Sequence, residues 1–284
     1  MLITPYPKPY TLNSYPSTDI TNPAPYPTQV SDSLIVIPTY KESENISRII
    51  AAIFALPRSF HILVVDDNSP DGTADIVKNL INTAYPDSLF IEERKGKLGL
   101  GTAYIHGFRW ALQHHYEYIF EMDADFSHPP ADLLRLYDAC QTNGADVAIG
   151  SRYVKGGGIQ NWPLDRILLS KYASVYVRLV TWLPIHDTTA GFVCFRRRVL
   201  EAIDLDKIKF IGYAFQIEMK FAAWRLGFAL REVPITFIDR EYGESKMSTS
   251  IFKEAVLGVL KMKWHSFFNS YRRLSSTPNN NGSW

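Results

Sequence analysis

Short apolar runs, each followed by a longer segment of helical period, constrain this chain more than any other feature. Leu34-Ile35-Val36-Ile37 leads into Glu44 to Leu56, and Ile62-Leu63-Val64-Val65 into Thr73 to Ile81. Ser88 to Ile91 leads into Thr102 to Gln113, Tyr118-Ile119-Phe120 into Ala131 to Cys140, and Val147-Ala148-Ile149 is a fifth run. Strands written as continuous apolar runs are buried on both faces, and their alternation with helices builds a parallel sheet covered on each side. The expected fold class is therefore α/β, an open and mostly parallel sheet flanked by helices.

In such sheets ligands sit beyond the carboxyl ends of the strands. The polar residues that follow the runs are Pro38-Thr39-Tyr40-Lys41-Glu42, Asp66-Asp67-Asn68-Ser69, Asp123-Ala124-Asp125 and Ser151-Arg152. Asp123 and Asp125 are the most informative. Two carboxylates this close repel unless a cation or proton lies between them. A Mg²⁺ or Mn²⁺ ion held by one or two carboxylates and completed by substrate phosphates removes that repulsion. A D-x-D triplet alone also occurs as a solvated turn; its place at a central strand end, before His128-Pro129-Pro130, favours the metal.

No Gly-rich phosphate cradle accompanies the acidic pair. Leu98-Gly99-Leu100-Gly101-Thr102 lacks the third glycine of a dinucleotide fingerprint and follows the third run, not the first; there is no G-K-[ST] P-loop. Side-chain cations must then neutralise a bound nucleotide. Arg152, Arg166, Arg240 and Lys246 are candidates, since Arg forks grip phosphate oxygens with parallel hydrogen bonds. Arg240 and Lys246 lie in a Gly- and Ser-containing loop after the strand-like Val233 to Ile238.

The charges balance, 30 basic against 29 acidic, which argues against nucleic acid as a partner. Residues 1–30 are dense in Pro and Tyr and are expected to form a disordered arm; 31–247 form the catalytic domain, and 271–284 a disordered tail. Cys140 and Cys194 lack metal-ligand spacing and are expected to be reduced structural thiols. No window approaches the roughly 20 uninterrupted apolar residues of a membrane span. Ile167 to Leu183 and Ile251 to Phe268 are amphipathic. The second, within a segment 248–270, combines Phe252, Val256, Leu260, Trp264, Phe267 and Phe268 with Lys253, Lys261, Lys263 and His265, a composition suited to a membrane interface and equally to core packing.

These residues resemble glycosyltransferase family 2, and within it the dolichol-phosphate mannosyltransferases, from about Leu34 to about Lys263. The resemblance rests on Ile37 to Glu42 (IPTYKE), Val65 to Thr73 (VDDNSPDGT), Leu98 to Gly107 (LGLGTAYIHG), Met122 to Pro129 (MDADFSHP), Gly150 to Tyr153 (GSRY), Gly212 to Met219 (GYAFQIEM) and Phe237 to Met247 (FIDREYGESKM). It implies a GT-A fold and inverting, metal-dependent transfer of mannose from GDP-mannose to a polyprenyl phosphate. Pro38, Tyr40, Glu42, Val64 and Asp66 would line the guanosine pocket, while Asp123, Ala124 and Asp125 would meet ribose, diphosphate and metal. Ser127 falls where some relatives supply a third, amide ligand to the metal, and a hydroxyl is a weaker one. Arg240 and Lys246 would clamp the donor diphosphate; Arg152 and Arg166 would face the acceptor phosphate. Asp125, Arg152 and Arg240 are the expected catalytic residues. The resemblance further implies a peripheral enzyme on the cytoplasmic face of a membrane, held by its amphipathic helix or by a small membrane-protein partner. The rival readings are a transferase using a UDP-sugar on the same lipid and a non-catalytic nucleotide-sugar sensor.

Overall fold

A computed structural model describes residues 30–212, 214–239 and 249–273, with side chains from 257 onward in the last segment. Seven strands form the main sheet: β1 (Ser33–Thr39), β2 (His61–Asp66), β3 (Leu89–Glu93), β4 (Tyr118–Glu121), β5 (Val147–Ser151), β7 (Val193–Arg196) and β8 (Leu230–Pro234). Their order is β3-β2-β1-β4-β7-β5-β8. Every pairing is parallel except the two made by β7, which runs antiparallel to β4 and to β5. The expected Val233 to Ile238 strand is divided. β8 ends at Pro234, which has no N–H for the ladder, and β9 (Thr236–Ile238) pairs instead with β6 (Gly158–Gln160) in a small second sheet.

The helices follow from their apolar spacing. α1 (Ile46–Phe54) buries Ile46, Ile49, Ile50 and Ile53, one face of a 3.6-residue period. α2 (Thr73–Thr83) and α4 (Asp132–Gln141) pack with α1 against the apolar side formed by Ile35, Ile37, Ile62 and Val64. On the opposite side lies α3 (Leu100–Gln113), whose Gly107 lets it approach β1 closely. A Cβ there would stand 2.4 Å from Val36 Cγ1. Gly101 answers a packing need of the same kind, since its Cβ would meet the Phe215 ring at 2.8 Å. Gly101 of the LGLG stretch thus serves helix packing, whereas Gly99 supplies the positive φ of 101° at the entry to α3.

α5 (Leu164–Thr181), α6 (Arg197–Ala202), α7 (Ala214–Arg225) and α8 (Thr249–Phe268) complete the chain. α8 packs on α5 and α7. Its Val259 and Met262 belong to the same buried cluster as Val177 and Phe221, so the segment from 248 is not a separate appendage. One expectation needs correction here. Residues 271–273 are held and not tail-like: Tyr271 is buried, donates to Glu218 at 3.2 Å, and Arg272 bridges to Ile203. Lys263 points inward, giving a hydrogen bond to the Thr181 carbonyl at 3.2 Å beneath the Trp182 ring. Cys140 and Cys194 are both buried and unbridged. The expected arm at 1–30, apart from Val30, and the tail beyond 273 lie outside the described residues.

Candidate active site

The carboxyl ends of β1, β2, β4 and β5 open onto one cleft of about 350 Å³, joined by the start of β7, which reaches the same rim because it runs the other way. Three non-glycine residues in the loops leaving β1, β2 and β4 adopt the left-handed region: Lys41 (φ 61), Asn68 (φ 57) and Phe126 (φ 59). For a bulky residue such as Phe126 that conformation is strained by roughly 1–2 kcal/mol. It sits between Asp125 and Ser127, where it turns the chain within the acidic motif.

Pro38, Tyr40, Glu42, Asp123, Ala124, Asp125, Ser127, Arg152 and Arg166 all line the cleft. Val64 and Asp66 do not. Val64 is fully buried in β2, and Asp66 accepts hydrogen bonds from the Thr39 hydroxyl (2.8 Å), the Ser69 amide (2.8 Å) and the Ser69 hydroxyl (2.6 Å). Asp66 therefore ties the β1 and β2 ends together, and it is Asp67 that reaches the cleft. Asp67 accepts from Arg94 Nε at 2.5 Å and from the Leu98 amide at 3.2 Å, fixing the loop that carries Lys97. Lys97 lies over the Tyr40 ring, 4.7 Å from its centroid. Arg240 and Lys246 lie outside the described residues.

The acidic pair occupies the centre. Asp125 is buried and accepts the Ser127 amide at 3.1 Å; Asp123 accepts the Tyr104 hydroxyl at 3.4 Å. No group of three or more His, Cys, Asp and Glu that could hold a metal occurs among the described residues. The pair fits a hard divalent cation that keeps part of its shell for water and phosphate oxygens, and it does not fit an all-protein cage. His128, buried and stacked on Phe192 with ring centroids 4.9 Å apart, is pulled down to about 4 by burial and so lines the cleft as neutral imidazole.

Arg152 is set by a buried carboxylate absent from the sequence-based expectations. Asp187 accepts from Arg152 Nε (2.7 Å), Nη2 (2.7 Å) and the backbone amide (3.0 Å), and Thr189 accepts a further bond from Nη2 at 2.9 Å. Burial pushes the Asp187 carboxyl up, but the Arg152 charge and hydrogen bonds more than offset it and hold it below its ordinary value. Glu232 accepts in turn from the Asp187 amide (2.8 Å), the His186 amide (2.8 Å) and the Ser151 hydroxyl (2.7 Å). Arg166 stacks on Trp162 at 3.9 Å and pairs with Asp239 at 3.2 Å, and Arg152 lies 5.7 Å from the centroid of the same ring, so both arginines share one aromatic neighbour.

Fold and site together define a nucleotide-sugar transferase, and comparison with known proteins agrees. The glycosyl transferase family 2 profile matches residues 34–204, and the chain belongs to that family. It is 49% identical over 227 residues to the polyprenol monophosphomannose synthase of Mycolicibacterium smegmatis, covering 80% of this chain and 85% of that protein. It is 47% identical over 229 residues to the undecaprenyl-phosphate mannosyltransferase of Micrococcus luteus, covering 80% and 92%. Among solved structures, the fold resembles glucosyl-3-phosphoglycerate synthase of Mycobacterium tuberculosis with Mn²⁺ and UDP (TM-score 0.57, 15% identity, 81% of this chain and 77% of that one). It also resembles a mannosyltransferase of Pyrobaculum calidifontis with GDP-mannose and Mn²⁺ (TM-score 0.55, 20% identity, 88% and 68%). The chain is a glycosyltransferase of GT-A fold.

Proposed function

We propose that this enzyme transfers mannose from GDP-mannose to a polyprenyl phosphate, inverting the anomeric centre to give the β-mannosyl phosphate. The observation that carries this reading is the arrangement of charge across one cleft, with an acidic pair at its centre and two anchored arginines at one end. The names of the two relatives near half identity supply the sugar and the lipid.

The residues divide the work. Tyr40, Lys97 and the Glu42 carboxylate, an acceptor suited to the N–H edge of guanine, take the nucleoside end. Asp123 and Asp125 would hold Mg²⁺ or Mn²⁺, which when bound would neutralise the leaving diphosphate. Arg152 and Arg166 receive the acceptor phosphate. That phosphate is already anionic, so it attacks without a general base. Asp187 is a poor base in any case, because its carboxylate is committed to Arg152. The protein's task is to bring two anions within reach and to compensate their charge. Arg240 and Lys246 are assigned to the donor diphosphate.

The lipid end is read from the surface. α5 exposes Leu164, Leu168, Tyr172, Val175 and Leu179 along one stripe, and α8 exposes Leu257, Leu260, Trp264, Phe267 and Phe268 along another. Lys171 and Lys261 are also exposed on these helices. Apolar stripes edged by lysine suit a peripheral position at a membrane whose anionic cytoplasmic leaflet attracts them. No described helix is long and apolar enough to cross a membrane. A small membrane-protein partner is an alternative occupant of the same stripes.

The test is incubation of purified protein with Mn²⁺ or Mg²⁺, a polyprenyl phosphate and labelled GDP-mannose or UDP-glucose, followed by organic extraction. Labelled lipid from GDP-mannose alone supports the reading. Label from UDP-glucose alone replaces the donor while keeping fold and acceptor. No metal-dependent transfer from any sugar nucleotide would favour the sensor.

A further inference from the structure

The order of strands fixes where the transferred sugar must lie. The nucleoside residues follow β1 and β2, the acidic pair follows β4, and Arg152 follows β5. A donor laid from the first to the second reaches its anomeric carbon between the diphosphate at β4 and the acceptor phosphate at β5. The strand between those two is β7. The cleft floor there is made by Ala190 and Gly191, just ahead of β7, and by Gln216 in the first turn of α7.

Gln216 is 3% exposed, yet neither its amide nitrogen nor its amide oxygen has a hydrogen-bond partner among the described residues. The polar group beside it is the Glu121 carboxyl, which is likewise buried, and the two do not complete a bond of normal geometry. Lys220, one turn further along α7, gives its bond to the Ala190 carbonyl at 2.5 Å and so fixes the neighbouring floor without engaging the amide. Gly191 leaves the approach open: even a Cβ there would stop 3.8 Å from Gln216 Nε2. A buried primary amide left without partners is costly to a fold and is kept where something else satisfies it. Its donor and acceptor together match hydroxyl groups, each of which both gives and accepts.

We propose that Gln216 is the residue that reads hydroxyl groups of the transferred hexose, and so helps determine which sugar the cleft accepts. This rests on the donor reading given above. The amide takes the ring hydroxyls as the hexose settles between Asp123 and Arg152, over Ala190 and Gly191. A site built to hydrogen-bond hydroxyls rejects a ligand lacking them, because its polar groups are then left buried and unmatched.

The experiment compares wild type with Gln216→Met, which keeps length and volume but removes both polar atoms. Affinities for GDP and for GDP-mannose are measured by calorimetry with Mn²⁺, alongside turnover and thermal unfolding. The proposal expects unchanged GDP affinity, an unfolding midpoint equal to or above wild type, and kcat/KM for GDP-mannose lowered at least about tenfold. Wild-type kinetics with GDP-mannose, an equal loss of affinity for GDP and GDP-mannose, or a clearly lowered midpoint would each overturn it, the last by showing that the fold itself needs the amide. Wild-type turnover identifies the donor separately. Should that be UDP-glucose, the same comparison with UDP and UDP-glucose decides the role of Gln216, so the two failures have different signatures.

Discussion

Asp187 meets Arg152 along one whole edge of its guanidinium, Nε and Nη2 both at 2.7 Å, and leaves Nη1 as the nitrogen to which no described residue is bonded. An arginine so anchored holds Nη1, with its two N–H donors, in a fixed orientation before any substrate arrives, which lowers the ordering cost of binding an anion.

Replacing Asp187 by Asn is therefore expected to act mainly on the acceptor. Removing one partner of a buried ion pair costs about 3–5 kcal/mol of stability. In the folded fraction the KM for polyprenyl phosphate should rise and kcat fall, with the KM for the sugar nucleotide nearly unchanged. Steady-state kinetics in each substrate separate these; an effect confined to the donor KM would remove Asp187 from the acceptor side.

The same pair sets an acid limit. The Asp187 carboxyl is held below the ordinary value of 3.8 in the folded chain, so its stabilisation is complete above that value and is lost as pH falls through the lower, folded one. Thermal unfolding of wild type and Asp187→Asn from pH 6 downward should show a gap that is constant to about pH 4 and closes below it. A constant gap throughout would mean that Asp187 keeps its proton balance on unfolding.

Asp125→Asn keeps shape and removes charge from the centre of the cleft. Turnover should fall on the order of 10²–10³-fold, while the unfolding midpoint stays near wild type, because the Asn carboxamide oxygen can still accept the Ser127 amide. Near-normal turnover would dismiss the acidic pair as a metal site.

Gly107→Ala tests the contact between α3 and β1. Alanine gains helix propensity but places a methyl 2.4 Å from Val36 Cγ1, and overpacking of that kind costs about 1–3 kcal/mol. Urea unfolding should register a loss; a gain would show that α3 can lift from the sheet without penalty.

Trp264→Ser and Phe268→Ser alter side chains that are 66% and 73% exposed, so fold stability should hardly change. Co-sedimentation with vesicles containing anionic lipid should weaken, as should turnover of long-chain acceptor relative to a short-chain one. Undiminished sedimentation would point to a protein partner for that face.

Much of this was legible from residue order alone, and for one reason. Strands buried on both faces leave unbroken apolar runs, so β1 to β5 and the polar residues at their ends stand out. β7 did not, since Val193–Arg196 is a four-residue strand broken by Cys and Arg and followed only by the six-residue α6, too short to show a helical period. With β7 unmarked in the sequence, the floor at Ala190 and Gly191 and the Asp187 anchor do not show, and nothing in the GYAFQIEM stretch says that Gln216 meets them. Asp66 and Asp67 were exchanged for a different reason. Adjacent residues at a strand end point opposite ways, and the sequence does not say which carboxylate the Thr39 and Ser69 hydroxyls will claim.

The reversed strand also governs how this chain is born. Four strands, β1 to β4, can assemble as soon as residue 121 has emerged, but β4 then presents a bare edge. Its neighbour β7 arrives only with residues 193–196, and β5 must wait for β7 before it can join at all. A nascent or truncated chain ending anywhere between these points carries an unpaired edge strand whose four residues are all buried in the finished fold, the surface most prone to pair with another copy. The half to which the nucleotide is assigned can precede the last pairing of the sheet by more than seventy residues of synthesis, and the interval between them is the chain's period of greatest exposure to aggregation.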